Sequence, residues 1–257
     1  MKYDWRGGVL VVGSLLWDDD GCREEWRNRW LSIDDARRVI APIRYGRLSK
    51  GRGCTYTMVF SRACRRAAYA GGVGVAVAFK APMDDAESLA AAAHALWGAE
   101  KKESNSGGRL GASWGAVGLL ANPQRDASEL LAAWKTCVVR QPCYSAPSHL
   151  KSEGAVLDEE SGRLLIPWPH EVVGGPLNLD FLLATATDPE LMVPGQRYPS
   201  AARIAAAWIA DRDQKARSGQ TEKQEVKYFL ENRKHGISTF QDDRIRAYLL
   251  GAGIESV

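Results

Sequence analysis

Gly7-Gly8-Val9-Leu10-Val11-Val12-Gly13-Ser14-Leu15-Leu16-Trp17 is the stretch from which the fold is read. A short apolar run bounded by glycines predicts a buried strand. Glycine directly after a strand lets the backbone turn sharply and lets a ligand come close. Successive N–H groups in such a turn form an anion nest, suited to a carboxylate or a developing oxyanion. Gly-x-Ser-x-Gly is absent, so this is not the nucleophile elbow of hydrolases, and Ser14 is not expected to be a nucleophile. Taken alone, the same residues also describe an ordinary strand-ending turn.

Outward from this stretch, further strands are predicted over Arg38 to Leu48, Thr55 to Phe60, Gly71 to Phe79 and Trp114 to Ala121. Lys50 to Gly53 and Ser104 to Ser113 read as a turn and a polar, glycine-rich loop. Asp84 to Leu96 is the clearest helix: Asp84, Asp85 and Glu87 suit the positive end of its macrodipole, and Leu89, Ala93 and Leu96 share one face. Gly98 is the expected stop. A helix is expected at Ser128 to Trp134 and another at Ala201 to Arg217, the latter capped by Ser200. Two more, near Gln224 to Arg233 and Asp243 to Leu250, close the sequence. The proline-rich region 142–200, with a hairpin around Val156-Leu157 and Leu164 to Ile166, reads as an elaboration within a single domain spanning 1–257. This order suits an α+β fold around a small mixed sheet or barrel.

The 257 residues are 45% hydrophobic, ample for a buried core. No apolar run approaches the roughly 20 residues that cross a bilayer, and Met1 to Gly8 carries no secretory pattern. Five cysteines (Cys22, Cys54, Cys64, Cys137, Cys143), without a CxxC pair, argue against a disulfide framework. With four scattered histidines they also argue against zinc, and the expected compartment is a reducing cytoplasm. Tryptophans such as Trp5, Trp17, Trp26, Trp30 and Trp168 read as packing residues, and His94 as a surface or packing residue. The net charge is only +3, yet no acidic residue occurs from Ala36 to Met83, where Arg37, Arg38, Arg44, Arg47, Lys50, Arg52, Arg62, Arg65, Arg66 and Lys80 lie. Most of these read as a solvated face, with one or two arginines near a pocket.

The order of motifs resembles the γ-glutamylcyclotransferase-like family, with the glutathione-degrading ChaC-type branch nearest. That family opens on a strand followed by Tyr-Gly-Ser-Leu, often with Trp shortly after; here the match is Val12-Gly13-Ser14-Leu15-Leu16-Trp17. Arg44-Tyr45-Gly46-Arg47 is similar to its arginine- and aromatic-rich strand, and Gly72 to Phe79 to its Gly-Val-rich strand. Leu96-Trp97-Gly98-Ala99-Glu100 fits its Leu-x-x-x-Glu element, and Tyr228-Phe229-Leu230 with His235-Gly236-Ile237 resembles the ChaC end. The resemblance covers roughly 8–122 and, more faintly, 225–250. Val12 stands where the family has tyrosine, Gly98-Ala99 replace polar residues, and 142–200 has no counterpart.

The resemblance implies an enzyme that cleaves a small γ-glutamyl amide by attack of its own α-amine, giving 5-oxoproline and an amine. It implies Glu100 as the acid/base group, with Glu103 as the alternative if the alignment slips. It implies Val12, Gly13, Ser14 and Leu15 as substrate-binding residues, and no metal or organic cofactor. The expected partner is a small molecule, not a membrane or nucleic acid. The competing reading is a non-catalytic binding protein that keeps this fold and turns its acid-free stretch toward an anionic partner; salt-sensitive nucleic-acid binding would favour it.

Overall fold

The computed structural model describes residues 3–49, 55–65, 71–103, 108–139, 156–158, 160–187, 189, 198–217 and 226–254. The predicted strand after Gly7-Gly8 forms as β1 (Gly7–Val11), with all of its residues buried. Burial follows from its place. β1 is the middle strand of a seven-stranded sheet, paired antiparallel with β5 (Gly72–Ala78) and parallel with β9 (Phe181–Thr187). Beyond β9 come β7 (Gly115–Ala121) and the short β6 (Gly111–Ala112); beyond β5 come β2 (Arg37–Ala41) and the short β8 (His170–Glu171). A separate two-stranded sheet pairs β3 (Ile43–Ser49) with β4 (Thr55–Phe60). The expected α+β class is what is seen, with a larger sheet than the small one expected.

Arg38 to Leu48 is not one strand. Pro42, which has no N–H to give a ladder, separates β2 from β3, and the two halves join different sheets. The region 142–200, read as an elaboration, supplies β9, a buried strand beside the middle strand of the main sheet. Phe181 is wholly buried, and its ring lies where a side chain at Gly7 would be, 2.0 Å from an added Cβ. Glycine at position 7 is therefore what lets β9 seat against β1. The expected hairpin is present as the antiparallel bridge between Leu157 and Leu164.

Six α-helices lie among the described residues. Gly21–Trp30 (α1) was not anticipated, because its buried positions include Arg23 and Arg27, not an apolar stripe. Ala86–Lys101 (α2) begins at a capping box, where Asp85 accepts from the Ser88 N–H at 2.8 Å and the Ser88 hydroxyl accepts from the Asp85 N–H at 3.2 Å. Leu89, Ala93 and Leu96 are all buried, as their spacing predicts. Gly98 does not stop α2. The helix runs on to Lys101 and closes at Lys102, which takes a left-handed φ of 59°, while the Glu103 N–H returns to the Gly98 carbonyl at 3.0 Å. An added Cβ at Gly98 would sit 2.8 Å from the Glu103 carbonyl oxygen, so glycine there makes room for the returning chain.

Ser128–Val139 (α3) packs on α2, and α2 packs against α1, β7 and β9. Ala201–Arg217 (α4) lies against β4 and against α6 (Asp242–Gly251). The expected cap of α4 is present, with the Ser200 hydroxyl accepting from the Arg203 N–H at 3.3 Å. Lys227–Lys234 (α5) docks on the turn that follows β1. No helix among the described residues is long and apolar enough to cross a membrane. The expected turn at Lys50 to Gly53 and residues 104–107 of the loop before Trp114 lie outside the described residues.

Candidate functional site

After β1 the chain passes through Val12 and Gly13 into a single 3-10 turn, Ser14–Leu16. The turn closes through Leu16 N–H to the Gly13 carbonyl at 3.3 Å and Asp18 N–H to the Ser14 carbonyl at 2.8 Å. The Leu15 N–H precedes these bonds and has no acceptor among the described residues. Gly13 has φ −175°, an extended value open to any residue, so its torsion does not require glycine. What it contributes is space: an added Cβ would meet nothing within 4 Å.

Two arginines hold this turn from behind. Arg23 and Arg27, four residues apart on α1, are 2% and 7% exposed. Arg27 donates to the Leu15 carbonyl at 2.9 Å and to the Asp18 carbonyl at 3.1 Å. Arg23 donates to the Ser14 hydroxyl at 3.1 Å, to the Asp18 carboxylate at 2.6 Å and, through Nε, to the Ala99 carbonyl at 3.2 Å. One guanidinium thus ties the turn to the last turn of α2, one residue before Glu100. Lys102 adds an ion pair to Asp20 at 2.9 Å. Burial pushes the Asp20 carboxyl up, but hydrogen bonds from Lys102 and the Arg23 backbone, with the charges of both side chains, hold it below the ordinary carboxylate value.

The turn and Glu100 face one cavity of about 210 Å³. Val12, Gly13, Ser14 and Leu15 all line it, and so does Glu100, half-buried on the last turn of α2. Glu103 does not; it is exposed and paired with Lys101. Of the two glutamates, Glu100 is the one on the cavity wall, because α2 runs past Gly98 to Lys101. The cavity volume lies below the roughly 300–1,000 Å³ usual for pockets that hold drug-sized ligands.

No family model, curated protein or solved structure matches the chain.

The opposite wall of the cavity comes from parts of the sequence not singled out for chemistry. Tyr45 and Arg47 of β3, Thr185 of β9, Trp208 of α4 and Asn232 of α5 all line it. Asn232 accepts from the Trp17 indole N–H at 2.8 Å, which fixes α5 against the turn. Tyr45 stands edge-on to Trp208, with ring centroids 5.5 Å apart. Burial, aided by the charge of Asp242 and opposed by Arg233, raises the Tyr45 phenol well above its usual value, so it stays a neutral O–H. Arg47 stacks on Trp114, 4.9 Å from the ring centroid. It is the cavity's cation without a carboxylate partner among the described residues, since Arg23 is paired with Asp18. Trp114 and Trp208 are thus pocket walls as well as packing residues.

His94 is half-buried against the Arg109 carbonyl, away from the cavity. Among the described residues no group of three or more His, Cys, Asp or Glu side chains is placed to hold a metal ion. Cys54 and Cys143 lie outside the described residues.

Because the space beside Gly13 is empty of protein, Gly13→Val is expected to change stability by no more than about 0.5 kcal/mol. The new side chain would occupy the place where a ligand meets the turn, with a loss of turnover on the order of 10²-fold from misplacement. Thermal unfolding and ligand titration on the same preparation check this. A destabilised protein with unchanged binding would contradict it.

Proposed function

We propose that the protein is a γ-glutamylcyclotransferase-like enzyme, with the fold of that family, acting on a small γ-glutamyl amide. The observation that carries the reading is that Glu100 and the Gly13-Ser14-Leu15 turn line the same cavity at the end of the central strand. In the proposed reaction the substrate's α-nitrogen attacks its own side-chain carbonyl carbon. A new C–N bond closes the five-membered lactam, and the original amide C–N bond breaks. The α-nitrogen gives up two protons on becoming a lactam N–H. The departing nitrogen gains two on leaving as an ammonium, and no water is consumed.

Glu100 is suited to carry these protons in turn, since one half-buried carboxylate can act first as base and then as acid. The tetrahedral intermediate bears an oxyanion, for which the Leu15 N–H is an available donor. Arg23 touches no reacting atom in this scheme. Its role is to hold donor and carboxylate at a fixed separation through Ser14 and Ala99.

Incubation with a panel of γ-glutamyl amino acids and peptides, glutathione among them, is expected to release 5-oxoproline and the free amine in equal amounts. Chromatographic detection of both products tests this. Turnover of none of the panel would shift the assignment to a binding protein with the same pocket.

A further inference from the structure

No acidic residue occurs from Ala36 to Met83, and both β3 and β4 lie within that stretch. A cation on these strands must therefore look to another element, or to a ligand, for its counter-charge. Arg47 of β3 finds none in the protein: among the described residues its side chain makes no ion pair and no hydrogen bond.

Arg47 is nonetheless held in place. Its guanidinium carbon lies 4.9 Å from the centroid of the Trp114 ring, and Trp114 stacks in turn on the buried Trp97, with centroids 4.8 Å apart. Arg47 and Trp114 both line the cavity, and both are half-buried, so each retains surface that a ligand can touch. Thr57 is the cross-strand partner of Arg47, and Ser49 lies two residues further along β3 on the same face. These two also line the cavity and are half-buried.

The chemistry of the matching ligand group follows. A guanidinium seated on an aromatic face keeps its in-plane N–H groups for an acceptor, and their planar fork pairs bidentately with a carboxylate. Partial burial beside an indole screens that pair less than open solvent would. Glu100 lines the same cavity from α2 and does not pair with Arg47. Its negative charge weighs against a dianion such as phosphate and leaves a singly charged acid as the better fit. We infer that Arg47, seated on Trp114, is a carboxylate-binding subsite of the cavity. On a γ-glutamyl substrate the carboxylate is either that of the glutamyl part or that of the departing amine. That identification rests on the proposed reaction; the subsite itself does not.

The probes lack the α-amine, so none can cyclise. N-glutarylglycine carries both carboxylates, N-glutaryl methylamide only that of the glutamyl part, N-butanoylglycine only that of the amine part, and N-methylbutanamide neither. Each is titrated calorimetrically into the wild type, Arg47→Met and Arg47→Lys. Methionine keeps an unbranched side chain over Trp114 and breaks no existing hydrogen bond, so Arg47→Met should melt at the wild-type temperature. Wild type is expected to bind N-glutarylglycine best. Arg47→Met should bind it roughly ten- to hundredfold more weakly, as loss of a charge-assisted hydrogen bond predicts. The single-carboxylate probe whose affinity falls with it identifies the carboxylate that Arg47 takes. Arg47→Lys, which keeps the charge without the fork, should lie between. Should Arg47→Met not fold, Arg47→Gln takes its place. Wild type that binds no probe, or binds the acids no better than N-methylbutanamide, would overturn the subsite. So would an Arg47→Met protein that binds N-glutarylglycine undiminished. Release of 5-oxoproline from γ-L-glutamylglycine is measured separately. Release without Arg47-dependent binding keeps the reaction and removes the subsite; Arg47-dependent binding without release keeps the subsite and removes the reaction.

Discussion

Glu100→Gln is expected to fold like the parent, to bind a γ-glutamyl ligand, and to lose on the order of 10²- to 10⁴-fold in the rate of 5-oxoproline release. Glutamine keeps the length and shape of the side chain on the last turn of α2, so the cavity should be preserved. What it lacks is a carboxylate to accept the ammonium proton and return it to the departing nitrogen. The loss should fall on the turnover number. Glu103→Gln, on the exposed chain beyond the helix end, should release 5-oxoproline at the parental rate. Steady-state kinetics on the two variants separates the assignments. Undiminished turnover in Glu100→Gln would sink the mechanism.

Arg23→Leu is expected to cost the protein about 3–5 kcal/mol of stability, the range for breaking a buried ion pair from one side. The guanidinium is 2% exposed and serves Asp18, the Ser14 hydroxyl and the Ala99 carbonyl at once. Removing it leaves these acceptors around a void between the turn and α2. Arg23→Lys is expected to recover only part of the loss, because an ammonium carries the charge but not the planar fork that reaches three directions. Urea unfolding measures both. A loss below about 1 kcal/mol in Arg23→Leu would show that the clamp is a surface ion pair in energetic terms. Variants that remain folded should also release 5-oxoproline more slowly, since the clamp sets the separation between the Leu15 N–H and Glu100.

The parts of the fold legible in the sequence are those whose signal is local. β1, β4 and β5 announce themselves as apolar runs between glycines or turns, and α2 by its acidic first turn and its Leu89, Ala93, Leu96 face. α1 was not legible, since it buries Arg23 and Arg27 where periodicity searches for apolar residues. β9 was not legible either. Phe181 to Thr187 mixes Leu, Ala and Thr without alternation, because a strand covered on both faces has no polar side to alternate with. Its proline-rich surroundings gave the opposite impression.

The candidate site divides in the same way. The Gly13-Ser14-Leu15 turn is readable because a strand, a glycine and a change of direction are adjacent in the chain, and adjacency is what a sequence records. Glu100 could be named only beside Glu103. The two are separated by where α2 ends, which depends on the Glu103 N–H reaching back to the Gly98 carbonyl and on Lys102 taking a left-handed conformation. Tyr45, Thr185 and Asn232 meet at the cavity from β3, β9 and α5. Nothing in the residues flanking any of them marks the encounter. Chain order specifies strands, helix starts and the turn, whose hydrogen bonds run between near neighbours. The cavity arises from contacts between residues as far apart as Trp17 and Asn232, and those exist only once the sheet and helices have packed.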